Sequence, residues 1–188
     1  MKHYTSRMMS RERGAVMIVS LLLLLVMTVL ALAASQATRM QERMAGNARD
    51  HDLAFQSSEA GLRAGERLVS ALTIAPSPCA SGRCQVYELG VPEATVATPL
   101  AYRDQAWWDA NAMVYSTASA MRSTDANFVL ARREPNFFVE EVEDVPDYLS
   151  KSTSGPTPSR TFYRITSRGV GGTETTQVVT QSTYARRF

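Results

Sequence analysis

The sequence predicts an α+β fold in which a long N-terminal helix packs against a small antiparallel β-sheet. Three observations carry that expectation. From Ala15 to Leu72 no proline interrupts a chain that is first apolar all round and then amphipathic. Ala75-Pro76-Ser77-Pro78 follows, and proline has no N–H with which to continue a helix. Towards the C-terminus, aromatic and β-branched residues alternate with polar ones, the pattern of half-buried strands.

Residues 15–34 read AVMIVSLLLLLVMTVLALAA, with Ser20 and Thr28 as the polar interruptions. Twenty residues of helix span about 30 Å, the thickness of a bilayer's hydrocarbon core. Ahead of them stand Lys2, Arg7, Arg11 and Arg13 against Glu12 alone. Such a basic flank keeps that end in the cytoplasm and places the following chain across the membrane. Three fates suit these residues. The helix is a permanent anchor, or it is a secretory signal cut at Ala31-Leu32-Ala33, or the chain is cut before the helix, after Gly14. The run is longer than the seven to fifteen apolar residues usual in a signal peptide. A glycine before the scissile bond lets a membrane peptidase approach the backbone of Gly14–Ala15 closely.

Composition narrows the outer part. Hydrophobic residues make up 45% of the 188, but that figure includes the apolar run. The formal charge of +2 resides in the leader: from residue 15 onward, 20 − 4 = 16 Lys/Arg face 18 − 1 = 17 Asp/Glu. That balance offers no basic face for nucleic acid. Residues 73–188 suffice for one small domain with one core.

The helical pattern continues past the apolar run. Ala37, Met40, Met44, Ala48, Phe55, Leu62, Leu68 and Leu72 recur at spacings that keep to one face. Glu59 and Arg63 are an i,i+4 pair. Gly46, Gly61 and Gly65 lower helix propensity, so they read as close-packing positions or as places where the rod bends. A helix from Ala15 to Leu72 is about 85 Å long, far beyond the globular average.

Beyond the helix, Cys79 and Cys84 enclose Ala80-Ser81-Gly82-Arg83. Two cysteines with no nearby histidine cannot build a four-ligand zinc site. In an oxidising compartment they close a small disulfide loop; in a reducing one they stay free thiols. Residues 76–100 hold Pro76, Pro78, Pro92 and Pro99 and read as irregular. Asp104 can cap a short helix through Met113, with Trp107 and Trp108 in the core or, alternatively, on an exposed partner-binding patch. Strands are predicted at 137–143, 161–167 and 175–184, with a fourth at 127–132, a polar loop at 152–159 and a turn at 169–172.

Catalysis lacks its usual parts. The histidines are His3 and His51, neither in residues 73–188, so no Ser-His-Asp or Cys-His arrangement is available there. Glu140, Glu141, Glu143, Asp144 and Asp147 lack the spacing of a calcium loop and read as a solvated strand edge rather than a cation site. The expectation is a non-enzyme without metal or cofactor.

Two blocks make the resemblance specific. The first is Gln41-Glu42-Arg43-Met44-Ala45-Gly46-Asn47 with Arg49-Asp50, Asp52-Leu53-Ala54-Phe55-Gln56 and Glu59-Ala60-Gly61-Leu62-Arg63-Ala64-Gly65-Glu66. The second runs from Arg164-Ile165-Thr166-Ser167-Arg168-Gly169-Val170-Gly171-Gly172 through Thr176-Gln177-Val178-Val179 to Gln181-Ser182-Thr183-Tyr184. Together they resemble the PilX minor pilins of type IV pili, over about the first seventy and the last thirty residues. The resemblance implies a pilin-like fold with a prepilin leader at 1–14, a transmembrane half-helix at 15–34, an amphipathic periplasmic half at 35–72 and a globular periplasmic domain at 73–188. It further implies cleavage by prepilin peptidase between Gly14 and Ala15 and N-methylation of Ala15. The chain would sit in the inner membrane with its N-terminus cytoplasmic, then enter the pilus.

One position departs from the general pilin pattern. Most pilins place a glutamate at the fifth mature residue, where it neutralises a neighbour's N-terminal amine; here that residue is Val19. A subunit without that carboxylate suits the tip of a filament. The implied role is initiation of pilus assembly with other minor pilins. Its partners would be those subunits, the major pilin, the inner-membrane assembly platform and the lipid bilayer. The alternatives are a tip pseudopilin of type II secretion and an anchored periplasmic binding or scaffold protein outside any filament.

Overall fold

One helix, α1 (Glu12–Ala71), accounts for the proline-free stretch. The computed structural model describes residues 12–80, 84–94, 99–118, 130–147 and 159–188. Two compact units divide the chain, Met1–Asn47 and Ala48–Phe188. The described part of the first is helix alone. The second contains the rest of α1 and everything after it.

Within the second unit the chain passes through β1 (Tyr87–Glu88), α2 (Val91–Ala94), a 3-10 turn (Leu100–Tyr102) and α3 (Gln105–Asn111). It continues through β2 (Met113–Val114), α4 (Tyr115–Ala118), β3 (Asn136–Pro146), β4 (Ser159–Val170) and β5 (Gln177–Arg187). The three long strands form an antiparallel meander, ordered β3-β4-β5. β3 and β4 extend the predicted strands by a few residues at each end, whereas β5 starts two residues later than predicted and ends three later. β2 joins the outer edge of β3 antiparallel, and β1 joins it parallel, Tyr87 opposite Glu140. The sheet is therefore mixed and five-stranded, where the sequence pattern pointed to antiparallel pairing alone. Two-residue strands are too short to leave an alternation in sequence, which is why β1 and β2 could not be foreseen.

Of the predicted strand at 127–132, Leu130–Arg132 form a turn and bend, while 127–129 lie outside the described residues, as do the leader through residue 11 and most of the 152–159 loop. The short helix appears where expected, with the Trp107 backbone N–H donating to Asp104 Oδ1 at 3.0 Å. In β3, Glu141 faces Tyr163 and Glu143 faces Phe162, so Val142 bulges out of the ladder.

The sheet has a core on each face. On one, Leu62 and Val69 of α1 pack with Phe137, Val139, Tyr163 and Ile165. On the other, Trp108 and Ala112 pack with Phe138 and Tyr87. Each fully buried side chain of this size contributes about 1.5–3 kcal/mol. Alternation along β3, with Phe137 and Val139 to the helix and Phe138 away from it, lets one strand serve both cores. Trp108 is fully buried and Trp107 half-buried, edge-on to Trp108 at 5.2 Å, so the core-packing expectation holds.

Cys79 and Cys84 are joined in a disulfide. On the chain-entropy relation a loop this short contributes about 2 kcal/mol. Beside it, Cys79 and the strand leading to β1 exchange backbone bonds: the Cys79 N–H donates to Val86 O and the Glu88 N–H to Cys79 O, each at 3.1 Å.

Candidate assembly surface

The helix presents two different surfaces, and the residues explain both. In the first unit every residue from Gly14 to Asn47 is exposed. Val16, Ile18, Val19 and Leu21 through Leu25 all stand more than half exposed. An 18-residue window here has a mean hydropathy of 3.0 and no buried share, so this helix is long and apolar enough to cross a membrane. Its two polar residues turn back on the backbone: Ser20 Oγ donates to Met17 O at 2.8 Å and Thr28 Oγ1 to Leu25 O at 2.7 Å. Such self-satisfaction is what a hydroxyl needs where no water is available. Gly14, Ala15 and Val19 lie on this exposed helix, and a side chain at Gly14 would touch nothing within 4 Å.

In the second unit a run of small residues faces the sheet beside Leu62 and Val69. Ala54, Ser57, Ser58, Gly61, Ala64, Gly65 and Val69 are buried. A methyl group on Gly65 would lie 2.5 Å from Ile165 Cγ2 and 3.2 Å from the Phe137 ring, and one on Gly61 would collide with Ser167 Oγ. Across the interface, a methyl group on Gly169 would strike the backbone of Ala54 and Ser58. The close-packing reading of Gly61 and Gly65 is thus correct. Gly46, in the first unit, meets nothing within 4 Å.

The predicted apolar face needs correcting at Met40, Met44 and Phe55, which are exposed, Phe55 at 44%. Helix and β4 approach so closely at Gly169 that bulk on the contact face would not fit, and the large side chains fall beside it. Phe55 instead borders a groove of about 530 Å3 with Ala60, Arg63, Arg67 and Tyr115. No ion pair joins Glu59 to Arg63.

Against β5 the helix makes a polar seam. Ser58 Oγ donates to Ser167 O at 3.1 Å and lies 2.6 Å from Thr180 Oγ1. Ser182 Oγ donates to Glu66 Oε1 at 3.1 Å, and an Arg186 Nη1–H reaches Ser70 O. At the start of the unit, Asp50 accepts the Gly172 N–H and, at 2.6 Å, the Thr173 hydroxyl. The Thr173 and Thr176 hydroxyls, then the turn's N–H groups, hold the Asp50 carboxyl below the usual aspartate range.

The acidic residues do not act as one cluster, and the solvated-edge expectation fails at Glu140. That side chain is fully buried, bonded to Arg164 Nε at 2.9 Å and to the Gly90 N–H at 2.9 Å. Gly90 has φ +79°, a left-handed conformation suited to glycine that aims its N–H at the carboxylate. Asp147 pairs with Arg160 and Arg187, each at 2.9 Å. Burial, then the Asp144 charge, pushes the Glu141 carboxyl up. Among the described residues no group of three or more His, Cys, Asp or Glu could hold a metal.

Sequence reasoning missed Asp50, the Ser58 seam and buried Glu140. Asp50 stood within the resembling block, but its contact partner lies 122 residues away. The small-residue run Ala54–Ser58–Gly61–Gly65 was the available signal for the close face.

An exposed apolar half-helix joined in sequence to a half-helix that forms the spine of a small α+β unit defines the pilin-like class of filament subunits. A PilX N-terminal family model matches residues 13–63. A model for the C-terminal part of the type IV pilus assembly protein PilX matches residues 47–186, well over half the chain. The chain therefore belongs to the PilX family of type IV pilus minor pilins, which are structural subunits. No curated protein and no solved structure matches it. Family and apolar helix together point to membrane anchoring and to association with other pilins in the pilus.

Proposed function

We propose that this minor pilin helps initiate type IV pilus assembly, within a tip or priming complex of minor pilins. The observation that carries the reading is Val19. It stands fifth after the Gly14–Ala15 bond, where the general pilin pattern has a glutamate, and it is exposed on an apolar helix. An ionised carboxylate in hydrocarbon is costly unless paired, so in most pilins it draws a neighbour's N-terminal amine. Valine neither pays that cost nor offers that contact, which suits a subunit that need not dock against another's N-terminus. The family model that matches residues 47–186 describes a type IV pilus assembly protein, which favours the pilus over a secretion pseudopilus.

In this reading prepilin peptidase removes residues 1–14, Ala15 is N-methylated, and residues 15–34 hold the subunit in the inner membrane. Residues 35–72 and the globular domain at 73–188 are periplasmic. The assembly platform then passes the subunit into a filament of major pilin, at or near its tip.

Intact mass and N-terminal peptides of protein recovered from cells test the processing. The expected chain begins at methylated Ala15. One beginning at Ala34 or Ser35 would mean a discarded signal, and an intact Met1 a permanent anchor; either removes the filament role. Val19→Glu tests the position: cleavage stays normal while pilus number or subunit stoichiometry changes. If both quantities stay at the wild-type value, the tip assignment is wrong.

A further inference from the structure

Arg168 is a buried arginine whose hydrogen-bond acceptors among the described residues are neutral. It projects from β4 on the face away from α1, and only 4% of it is exposed. Its guanidinium carbon lies 5.6 Å from the centre of the Trp108 ring. Its Nε–H donates to Gln177 Oε1 at 2.8 Å and Nη1 to Gln105 Oε1 at 2.7 Å. Both acceptors are neutral amides, and no carboxylate among the described residues is within ion-pairing distance. The indole N–H of Trp108 has no acceptor among those residues.

A buried cation ordinarily takes a carboxylate partner, because desolvation costs several kcal/mol that neutral acceptors offset only in part. Glu140 and Arg164, on the same two strands, show that ordinary solution. Burial lowers the Arg168 pKa, with Asp109 and Asp104 opposing at a distance and Arg133 reinforcing. Arg168 opens onto a groove of about 330 Å3, with Arg103 and Arg133 on its wall beside Asp104 and Glu174. Those two carboxylates are already engaged. Asp104 caps α3, and Glu174 takes Arg132 at 3.5 Å and Arg133 at 3.3 Å.

We propose that Arg168 is the floor of a small-oxyanion site, taking a carboxylate or phosphate group on its guanidinium, with Arg133 at the rim. An oxygen there supplies a counter-charge that no described residue places within ion-pairing distance. It also ties together the strand carrying Arg168, the helix carrying Gln105 and the strand carrying Gln177. The groove's volume suits the end of an acidic side chain or a free anion. The site does not depend on the initiation role, since it rests on the outer face of the sheet alone.

The test uses the full chain in detergent micelles, with 15N-labelled arginine, at fixed ionic strength. Sodium phosphate and sodium propionate are titrated separately against sodium chloride. The expected result is a saturating shift of the Arg168 Nε–H signal and a rise in Tm with at least one of them, the rise in Tm being lost in Arg168→Lys. Saturation with propionate assigns the site to carboxylates, the chemistry of an acidic side chain; saturation with phosphate alone assigns it to the free anion. Arg133→Gln, an exposed rim change that leaves the core untouched, should weaken the response about twofold to fivefold. Shifts with both anions that merely match chloride would overturn the proposal.

Discussion

The two halves of α1 relate hydrophobicity to burial in opposite ways. Leu21 to Leu25 are the most apolar stretch of the chain and stand exposed, whereas Ser57, Ser58, Gly61 and Gly65 are buried. The first half carries its apolar surface for a solvent outside the chain, and its hydroxyls bond only to their own helix. The second half is held by contacts from β3, β4 and β5, where fit matters more than apolar area. Hydrophobicity alone would have ranked these halves the wrong way round for packing. What separates them is the distance of nearest approach, and glycine marks where that distance is least.

Substitutions can break this comparison, beginning with the tightest contact. Gly169→Val places a side chain against the backbone of Ala54 and Ser58, which cannot yield as a flexible side chain can. A loss of about 3 kcal/mol or more is expected, read as a lower denaturation midpoint in detergent. Ser58→Ala adds no bulk and removes the hydroxyl that bonds Ser167 O and the Thr180 hydroxyl; about 1–3 kcal/mol should be lost. If that variant is as stable as wild type, the polar seam contributes nothing.

In the exposed half the sign reverses. Gly46→Ala meets only open space, so removing glycine's backbone freedom should stabilise the local helix by about 1 kcal/mol. Amide exchange around residue 46 would slow roughly fivefold. Faster exchange would mean that Gly46 serves a bend.

The subtlest effect concerns Asp50, at the start of the packed half. Its folded pKa is depressed by the Thr173 and Thr176 hydroxyls. Its contribution is therefore present above the unfolded value near 3.8 and lost as pH falls through the lower folded one. Exchange protection of Gly172 and Thr173 should drop across that acid range in wild type, and show no such step in Asp50→Asn.

Much of the fold was legible because it rests on long periodic signals. The helix needed only a proline-free run, β4 only the alternation Phe162 to Thr166, and the α3 cap only Asp104. The family was legible in the two blocks at 41–66 and 164–184. Phe55 was misplaced because spacing finds a face without saying which face the sheet takes. Glu140 was misread because a run of acidic residues looks solvated until a half-buried arginine and a left-handed glycine turn single out one of them. Arg168 was equally opaque, since a polar residue on an alternating strand gives no sign that a tryptophan will cover it.

The sequence by itself determined the elements and the one apolar half-helix, because these follow from short-range periodicity and from transfer of side chains out of water. Tertiary structure decided which helix face meets the sheet, how Glu140 is neutralised and where Arg168 opens. Each of those depends on atoms tens to more than a hundred residues apart, brought together by close packing that no local pattern encodes.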